Sequence, residues 1–419
     1  MKNAVVVSLK EDISEIVDLA ETLEYNVVKD FIQHRNQPDV NSYVGRGKLA
    51  EIKEYLEDQI EPIDLVIVDG KLKPSQWFLL EKNLGVEVFN RLHLILNIFE
   101  SHADGKEAKL QVRLAQLHYE RPFVREIIHR ARSGEHPGFM AGGEYQVDDY
   151  YEMIKKQMRK VKDELEGIRK KRKLRRSHRH VGGFYLVSLA GYTNAGKSSL
   201  LNLLSGERVK VEGRLFSTLS TTTRKINNLG VPVLITDTVG FIRNLPAWVV
   251  DAFRSTLEEI EVADIVLLVS DVSDDLDVLI DKLNVSFKEL LNIGVSSEVI
   301  IVLNKSDLID ADELEHKINF VKKQDFAKDR KVVRISAEKN KNIGLLLDNV
   351  FVCLPSLVKC KIKLLLNEES QSLISFIHDN TRVFDLVYDD FITVSFECND
   401  QICKQIVSSC KKLEGSVVE

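Results

Sequence analysis

The chain has 419 residues, 44% of them hydrophobic and 29% charged, with a formal net charge of -6. That is enough length for two or three domains with sizeable cores, and the composition, ordinary for a soluble protein, excludes a disordered or fibrous chain. No apolar run reaches the length of a membrane span, and the Val-rich start over residues 1–10 ends in charges, which fits a first strand and not a signal peptide. Five cysteines, Cys353, Cys360, Cys398, Cys403 and Cys410, form no C-x-x-C pair and have no histidine at zinc-ligand spacing. They read as reduced thiols packed as small hydrophobes, in a cytoplasmic compartment.

The first region alternates strands and helices. Residues 4–9 predict a strand, and residues 14–23 a helix capped by Ser14. Gly45-Arg46-Gly47-Lys48 is a Gly-rich turn opening a helix over 49–58; it either reverses the chain or touches a phosphate or RNA. A strand over 64–68 and a helix over 74–84 follow.

Residues 92–119 hold no proline and one breaker, Gly105, so they predict one long or broken helix. A second long helix starts after Asp149. In it Tyr151, Ile154, Met158, Val161, Leu165 and Ile168 alternate spacings of three and four, a heptad-like seam, and Leu110, Leu114 and Leu117 offer the partner stripe. The economical structure is an antiparallel helical hairpin with its tip over 121–148, rich in glycine and in Arg125, Arg130 and Arg132. Connections of that length are functional or disordered. Beyond the seam, residues 169–179 are strongly basic, which suits either a solvated helix end or a phosphate-binding face.

Gly191-Tyr192-Thr193-Asn194-Ala195-Gly196-Lys197-Ser198 fits the phosphate-binding pattern G-x-x-x-x-G-K-[ST], between a buried strand over 184–190 and a helix starting at Ser199. That context matters because loop and helix-terminal N–H groups must converge on phosphate. Lys197 would reach the β- and γ-phosphates and Ser198 would ligate Mg²⁺. Asp237-Thr238-Val239-Gly240 follows an apolar strand over 233–236; its carboxylate can hold Mg²⁺ through water, and the Gly240 N–H can face the γ-phosphate. Asn304-Lys305-Ser306-Asp307 ends a strand over 299–303. Asp307, acceptor-only when ionised, can take the N1–H and N2–H of guanine, a donor pair that adenine lacks. Ser336-Ala337, after a strand over 332–335, suits a loop lining the base. Any one motif is weak, but four in order, each at a strand's carboxyl end, define a guanine-nucleotide-binding P-loop domain with GTP as substrate.

With these residues in view, the chain resembles the HflX family of translational GTPases. The resemblance rests on the turn at Gly45 to Leu49, the run over 109–117, residues 215–219, and the runs over 240–246 and 252–259. It implies a multidomain α/β protein: an N-terminal α/β domain over 1–182 carrying the hairpin (about 92–180), a Ras-like P-loop GTPase domain over 183–357, and a small C-terminal α/β domain over 358–419. It also makes Thr218 the switch threonine that joins Ser198 and Asp237 at the metal, with Thr221, Thr222 and Thr223 as local competitors. The family implies binding to the large ribosomal subunit and its RNA, GTP hydrolysis stimulated there, and action on stalled or stressed ribosomes. A nucleotide capacity, including ATP, is attributed to its N-terminal domain, though no phosphate motif in that region supports it. A monomer is expected, with no DNA partner. The hairpin tip, His136 to Glu144, departs from the bacterial pattern and looks archaeal.

Hydrolysis in such a site depends on positioning and charge neutralisation, for which Lys197, Thr218 and Gly240 are the candidates. Many small GTPases place a water-orienting Gln immediately after the D-x-x-G glycine; here it is Phe241, so intrinsic turnover should be slow and partner-stimulated. Asn194 suggests a K⁺ ion at the phosphates, or else braces the loop. The competing classes are a GTP-dependent RNA-modification partner, which would call for a catalytic Cys or cofactor motif that is absent, and a binding scaffold with little hydrolysis.

Overall fold

The computed structural model describes residues 2–132, 143–181, 184–206, 221–226, 231–243, 246–355 and 357–418. Thr218 and residues 133–142 of the predicted hairpin tip therefore lie outside the described residues. The described residues divide into two compact units, one comprising those up to 168 together with 246–253, the other the remainder.

In the first unit, β1 (Lys2–Ser8), β2 (Tyr25–Ile32), β3 (Leu65–Val68) and β4 (Glu87–Asn90) form a parallel sheet in the order β2-β1-β3-β4. Parallel pairing needs crossovers, supplied by α1 (Ser14–Thr22), α2 (Arg46–Asp58) and α3 (Pro74–Leu84), while α4 (Arg91–Ser101) follows β4. The central strands carry buried apolar runs, residues 4–7 of β1 and all of β3, as sheets covered on both faces require. One expectation changes here. Ser14 is the first helical residue and not the cap; it bonds back to the Asp12 carboxylate through N–H and hydroxyl. Of the long or broken helix expected over 92–119, the structure has the broken form: α4 ends at Ser101 and α5 runs Lys106–Arg132, passing straight through Pro122.

With α6 (Gly143–Val181), α5 makes the antiparallel arm. Lys106 pairs with Glu164 at 3.2 Å, Arg113 donates to Gln157 at 3.0 Å, and Arg121 donates to the Tyr151 hydroxyl at 3.2 Å. The partners step in opposite directions along the two helices, which fixes the register. Ile154, Met158 and Val161 are buried in the seam, as are Leu114 and Leu117 of the partner stripe. The helices reach further than expected, leaving only 133–142 between them.

The second unit contains a six-stranded sheet of β5 (Tyr185–Gly191), β6 (Thr222–Ile226), β7 (Val233–Asp237), β8 (Ile265–Asp271), β9 (Glu298–Asn304) and β10 (Val332–Arg334), in the order β10-β9-β8-β5-β7-β6. All neighbours are parallel except the β6–β7 pair. Helices α7 (Lys197–Ser205), α9 (Arg254–Glu261), α10 (Leu276–Ile293), α11 (Ala311–Lys322) and α12 (Ile343–Cys353) belong to this unit. The short α8 (Ala247–Ala252) between α7 and α9 is grouped with the first unit, where it packs on α5.

The tail of the same unit folds as β11 (Leu357–Leu364), α13 (Glu368–Asn380), β12 (Arg382–Tyr388), β13 (Ile392–Asn399), α14 (Asp400–Lys412) and β14 (Ser416–Val417). Its sheet, β12-β13-β11-β14, is antiparallel throughout, the split βαβ arrangement. Cys360, Cys398 and Cys410 sit inside its core, where burial pushes the Cys360 thiol up to about 12 and holds it unreactive.

Candidate functional site

A doubly wound sheet places its ligands at the carboxyl ends of its strands, where connecting loops diverge. The predicted motifs collect there. The loop from Gly191 to Ser198 leaves β5, Asp237 ends β7, Asn304 ends β9, and Ser336-Ala337 lies just past β10. β5 and β7 are hydrogen-bonded neighbours, with Leu189 opposite Asp237. That pairing brings Ser198 against Asp237, whose carboxylate Oδ2 accepts from the Ser198 hydroxyl at 2.7 Å.

Lys197 is buried, and its Nζ donates to the carbonyls of Gly191 at 3.1 Å and Tyr192 at 2.8 Å. Burial lowers its ammonium to about 8, and the nearby Asp237 charge only partly offsets this. A cation held by two carbonyls and short of compensating charge is suited to an anionic phosphate. Thr238, fully buried, anchors its segment by donating to the Leu189 carbonyl at 2.7 Å, and Val239 packs beside it in the core.

One tie in the site depends on a side chain that the motif alone assigns to the base. Asn304 donates to the Ala195 carbonyl at 2.9 Å and accepts from the Ala337 N–H at 3.0 Å. It therefore joins the phosphate loop to the loop after β10. Gly196 lies against it with φ +90°, and a Cβ there would stand 2.3 Å from the Asn304 amide nitrogen, so only glycine fits. Lys305 is also diverted into structure: its φ is +61° and its Nζ pairs with Asp271 at 2.6 Å. Asp307 is half-buried beside Ser336, whose hydroxyl bond, with Lys339 and Lys341 more distantly, holds the carboxyl below its usual range. It is thus an ionised, acceptor-only group facing the base loop.

A further connection is not visible in any motif. Phe241 N–H donates to the Gly191 carbonyl and Thr193 N–H to the Phe241 carbonyl, both at 3.0 Å, while the Tyr192 hydroxyl accepts from Arg243 N–H at 2.8 Å. These bonds lay the stretch after Gly240 across the start of the phosphate loop. The Phe241 ring is buried. Asn194 takes the left-handed conformation with φ +62°, and Ser199 follows Ser198 in the first turn of α7.

Among the described residues no group of three or more His, Cys, Asp or Glu side chains could cage a metal. The Ser198 hydroxyl and Asp237 carboxylate do fit Mg²⁺, a hard ion that keeps water and phosphate oxygens and takes few protein ligands.

A six-stranded P-loop sheet, with an ionised Asp307 beside Ser336 and a Ser–Asp pair beside a buried lysine, defines a guanine-nucleotide-binding GTPase. Comparison with known proteins agrees. Residues 10–100 match the family model described as GTP-binding GTPase N-terminal, 102–179 GTP-binding GTPase Middle Region, and 186–305 50S ribosome-binding GTPase. The GTPase HflX of Methanocaldococcus jannaschii is 37% identical over 413 residues, 98% of this chain and 97% of that protein. The GTPase HflX of Thermococcus kodakarensis is 40% identical over 386 residues, 90% of this chain and 86% of that protein. A solved structure described as the SsGBP and GDP complex is similar at 31% identity with a TM-score of 0.51, over 84% of this chain and 98% of that one. The chain belongs to the HflX family of GTPases. It binds guanine nucleotide with Mg²⁺ and hydrolyses GTP.

Proposed function

We propose that this GTPase acts on the large ribosomal subunit, with its arm of α5 and α6 reaching ribosomal RNA, and that it serves to split or rescue stalled ribosomes in the cytoplasm. The observation that carries this reading is the match of residues 186–305 to a family described as 50S ribosome-binding GTPases, in a chain that also has a long two-helix arm. A stiff arm with a small-residue tip allows close backbone approach to RNA, and the basic run over 169–179 supplies cationic groups suited to phosphate. The protein is taken as a monomer that uses no DNA.

In the reaction, backbone N–H groups from Asn194 to Ser199 cradle the phosphates, with Gly191, Tyr192 and Thr193 shaping the loop. Lys197 neutralises charge on the β- and γ-phosphates. Ser198, Asp237 and Thr218 hold Mg²⁺, and Gly240 N–H, carried by Thr238 and Val239, senses the γ-phosphate. Asp307 reads guanine, Lys305 and Ala337 flank the base, and Asn304 and Ser336 set that pocket. Phe241 has no group to orient water, so the ribosome completes the site. A K⁺ ion beside Asn194 would add charge at the phosphates.

The test is GTP turnover by the full chain and by a variant lacking residues 130–143, each with and without purified large subunits. Stimulation of the full chain and loss of stimulation in the deletion, with GDP binding intact in both, is the expected result. Equal stimulation of both proteins would remove the arm as the sensor.

A further inference from the structure

The first unit has an open cavity of about 490 Å³ on the side of the arm, lined from three helices. His118, Arg121, Pro122 and Arg125 come from α5, Tyr151 from α6, and Trp248 from α8, all within the same compact unit. The imidazole of His118 lies stacked against the Trp248 indole, with centroids 5.6 Å apart and planes 23° from parallel. Burial, then the charges of Lys162 and Arg121, lower the His118 pKa, so the ring is neutral at physiological pH and presents an aromatic face and not a cation. Pro122, inside α5, adds an apolar ring to the cavity wall. Arg121 is exposed, fixed by its bond to the Tyr151 hydroxyl, and Arg125 is exposed one helical turn further on.

An aromatic pair and two exposed guanidinium groups match the parts of a nucleotide: a flat ring to stack and a phosphate to pair. Single-stranded RNA is recognised by this combination of stacking platform and cationic track. The Glu126 carboxylate at the rim disfavours a bare polyanion and leaves the aromatic stack as the element that sets preference. We propose that this cavity binds one unstacked nucleotide of a single-stranded RNA segment, its base against His118 and Trp248 and its phosphates on Arg121 and Arg125. The inference rests on the reading that the arm reaches ribosomal RNA. It adds a defined base-binding site on the arm's flank, partly built by Trp248 of α8, which follows the Asp237–Gly240 segment in the chain.

The experiment uses the full chain loaded with GDP and a fluorescein-labelled, short single-stranded oligoribonucleotide of mixed sequence, read by anisotropy. Trp248→Ala should weaken binding roughly 5- to 150-fold, the range for one lost stacking contact, and Trp248→Phe should restore most of it. Replacing both Arg121 and Arg125 by Ala should flatten the log–log salt slope by about 1.4. GDP affinity and thermal midpoint, unchanged in each variant, certify that the protein is folded. Equal RNA affinity in wild type, Trp248→Ala and the double arginine variant would overturn the proposal. So would displacement by adenosine monophosphate at the same nucleotide concentration as RNA, which points to a free nucleotide. Polyglutamate that competes as well as RNA, without regard to Trp248, would point to an acidic protein partner instead. Co-sedimentation of the same proteins with large subunits separates the two readings. Intact subunit binding with unaltered oligonucleotide binding in the variants defeats the cavity alone; failure of the wild-type chain to bind subunits defeats the ribosomal reading.

Discussion

The Asn304 carboxamide donates to the Ala195 carbonyl at 2.9 Å, across 109 residues of sequence. With its other end bonded to the Ala337 amide at 3.0 Å, it holds the phosphate loop and the base loop in one rigid frame. Asn304→Ala strips both bonds and leaves buried partners unsatisfied, at a cost on the order of 1–3 kcal/mol. GDP and GTP affinity should fall together, roughly 5- to 150-fold by titration calorimetry. Wild-type affinity for both nucleotides would mean that the loop is held by other contacts.

We assign base choice to a different residue. Asp307→Asn should weaken GTP by about 2–3 kcal/mol, roughly 30- to 150-fold, because a charge-assisted donor pair is lost. The same variant should gain xanthosine triphosphate, whose carbonyl replaces the N2 donor. Competition between the two nucleotides separates this outcome from a general loss of the site, and unaltered preference would disprove the assignment.

Gly240 sits tightly over the phosphate loop. A Cβ there would stand 2.8 Å from Thr193 Cγ2 and 3.0 Å from Lys197 Nζ. Gly240→Ala must push the segment away from Lys197, so hydrolysis should fall by more than roughly tenfold (above about 1.4 kcal/mol) while GDP still binds. Single-turnover rates beside GDP affinity test this, and a normal rate would show that the segment moves without cost.

Lys197 links pH to binding. Its value of about 8 lies below the ordinary 10.5 because burial disfavours the ammonium. In the nucleotide-free protein that cost is fully present below the folded value and fades as pH rises from about 8 to 10.5, since over this interval the unfolded chain binds more protons. Phosphate favours the charged form, so GDP binding near pH 8 should take up about half a proton. Calorimetry in buffers of different ionisation heat measures this directly. Identical heats in all buffers at that pH would contradict it.

Phe241 separates packing from chemistry. Its ring is buried, so Phe241→Ala should lower stability by about 3–5 kcal/mol. Because the ring carries no polar group, intrinsic hydrolysis should stay within about tenfold of wild type wherever the protein remains folded. A rate loss as deep as that of Lys197→Ala would assign Phe241 a chemical role. Exchanging K⁺ for Na⁺ in the same assay tests Asn194; equal rates remove the ion.

The strand–loop–helix around Gly191 to Ser198 was legible in the sequence because its signals are local: a buried apolar strand, glycines where the loop must turn, and a helix read from Ser199, which the structure opens at Lys197. The heptad seam was legible for the same reason, since Ile154, Met158 and Val161 repeat with the helix. Strands β2 and β4 were not. Tyr25–Ile32 carries Lys29 and Asp30 on a largely solvent-facing strand, and Glu87–Asn90 is too short to show a period. The reach of α5 was not legible either: it runs through Pro122, where packing along the arm outweighs one missing hydrogen bond. Local sequence therefore determined which chemical groups the protein carries and the strand ends from which they project. Only tertiary structure decided that Asn304 braces Ala195, that Phe241 pairs with Gly191, and that Trp248 of α8 stacks on His118 of α5. Each joins residues far apart in the chain, and no periodicity records a contact made only when sheet order and helix packing bring the two side chains together.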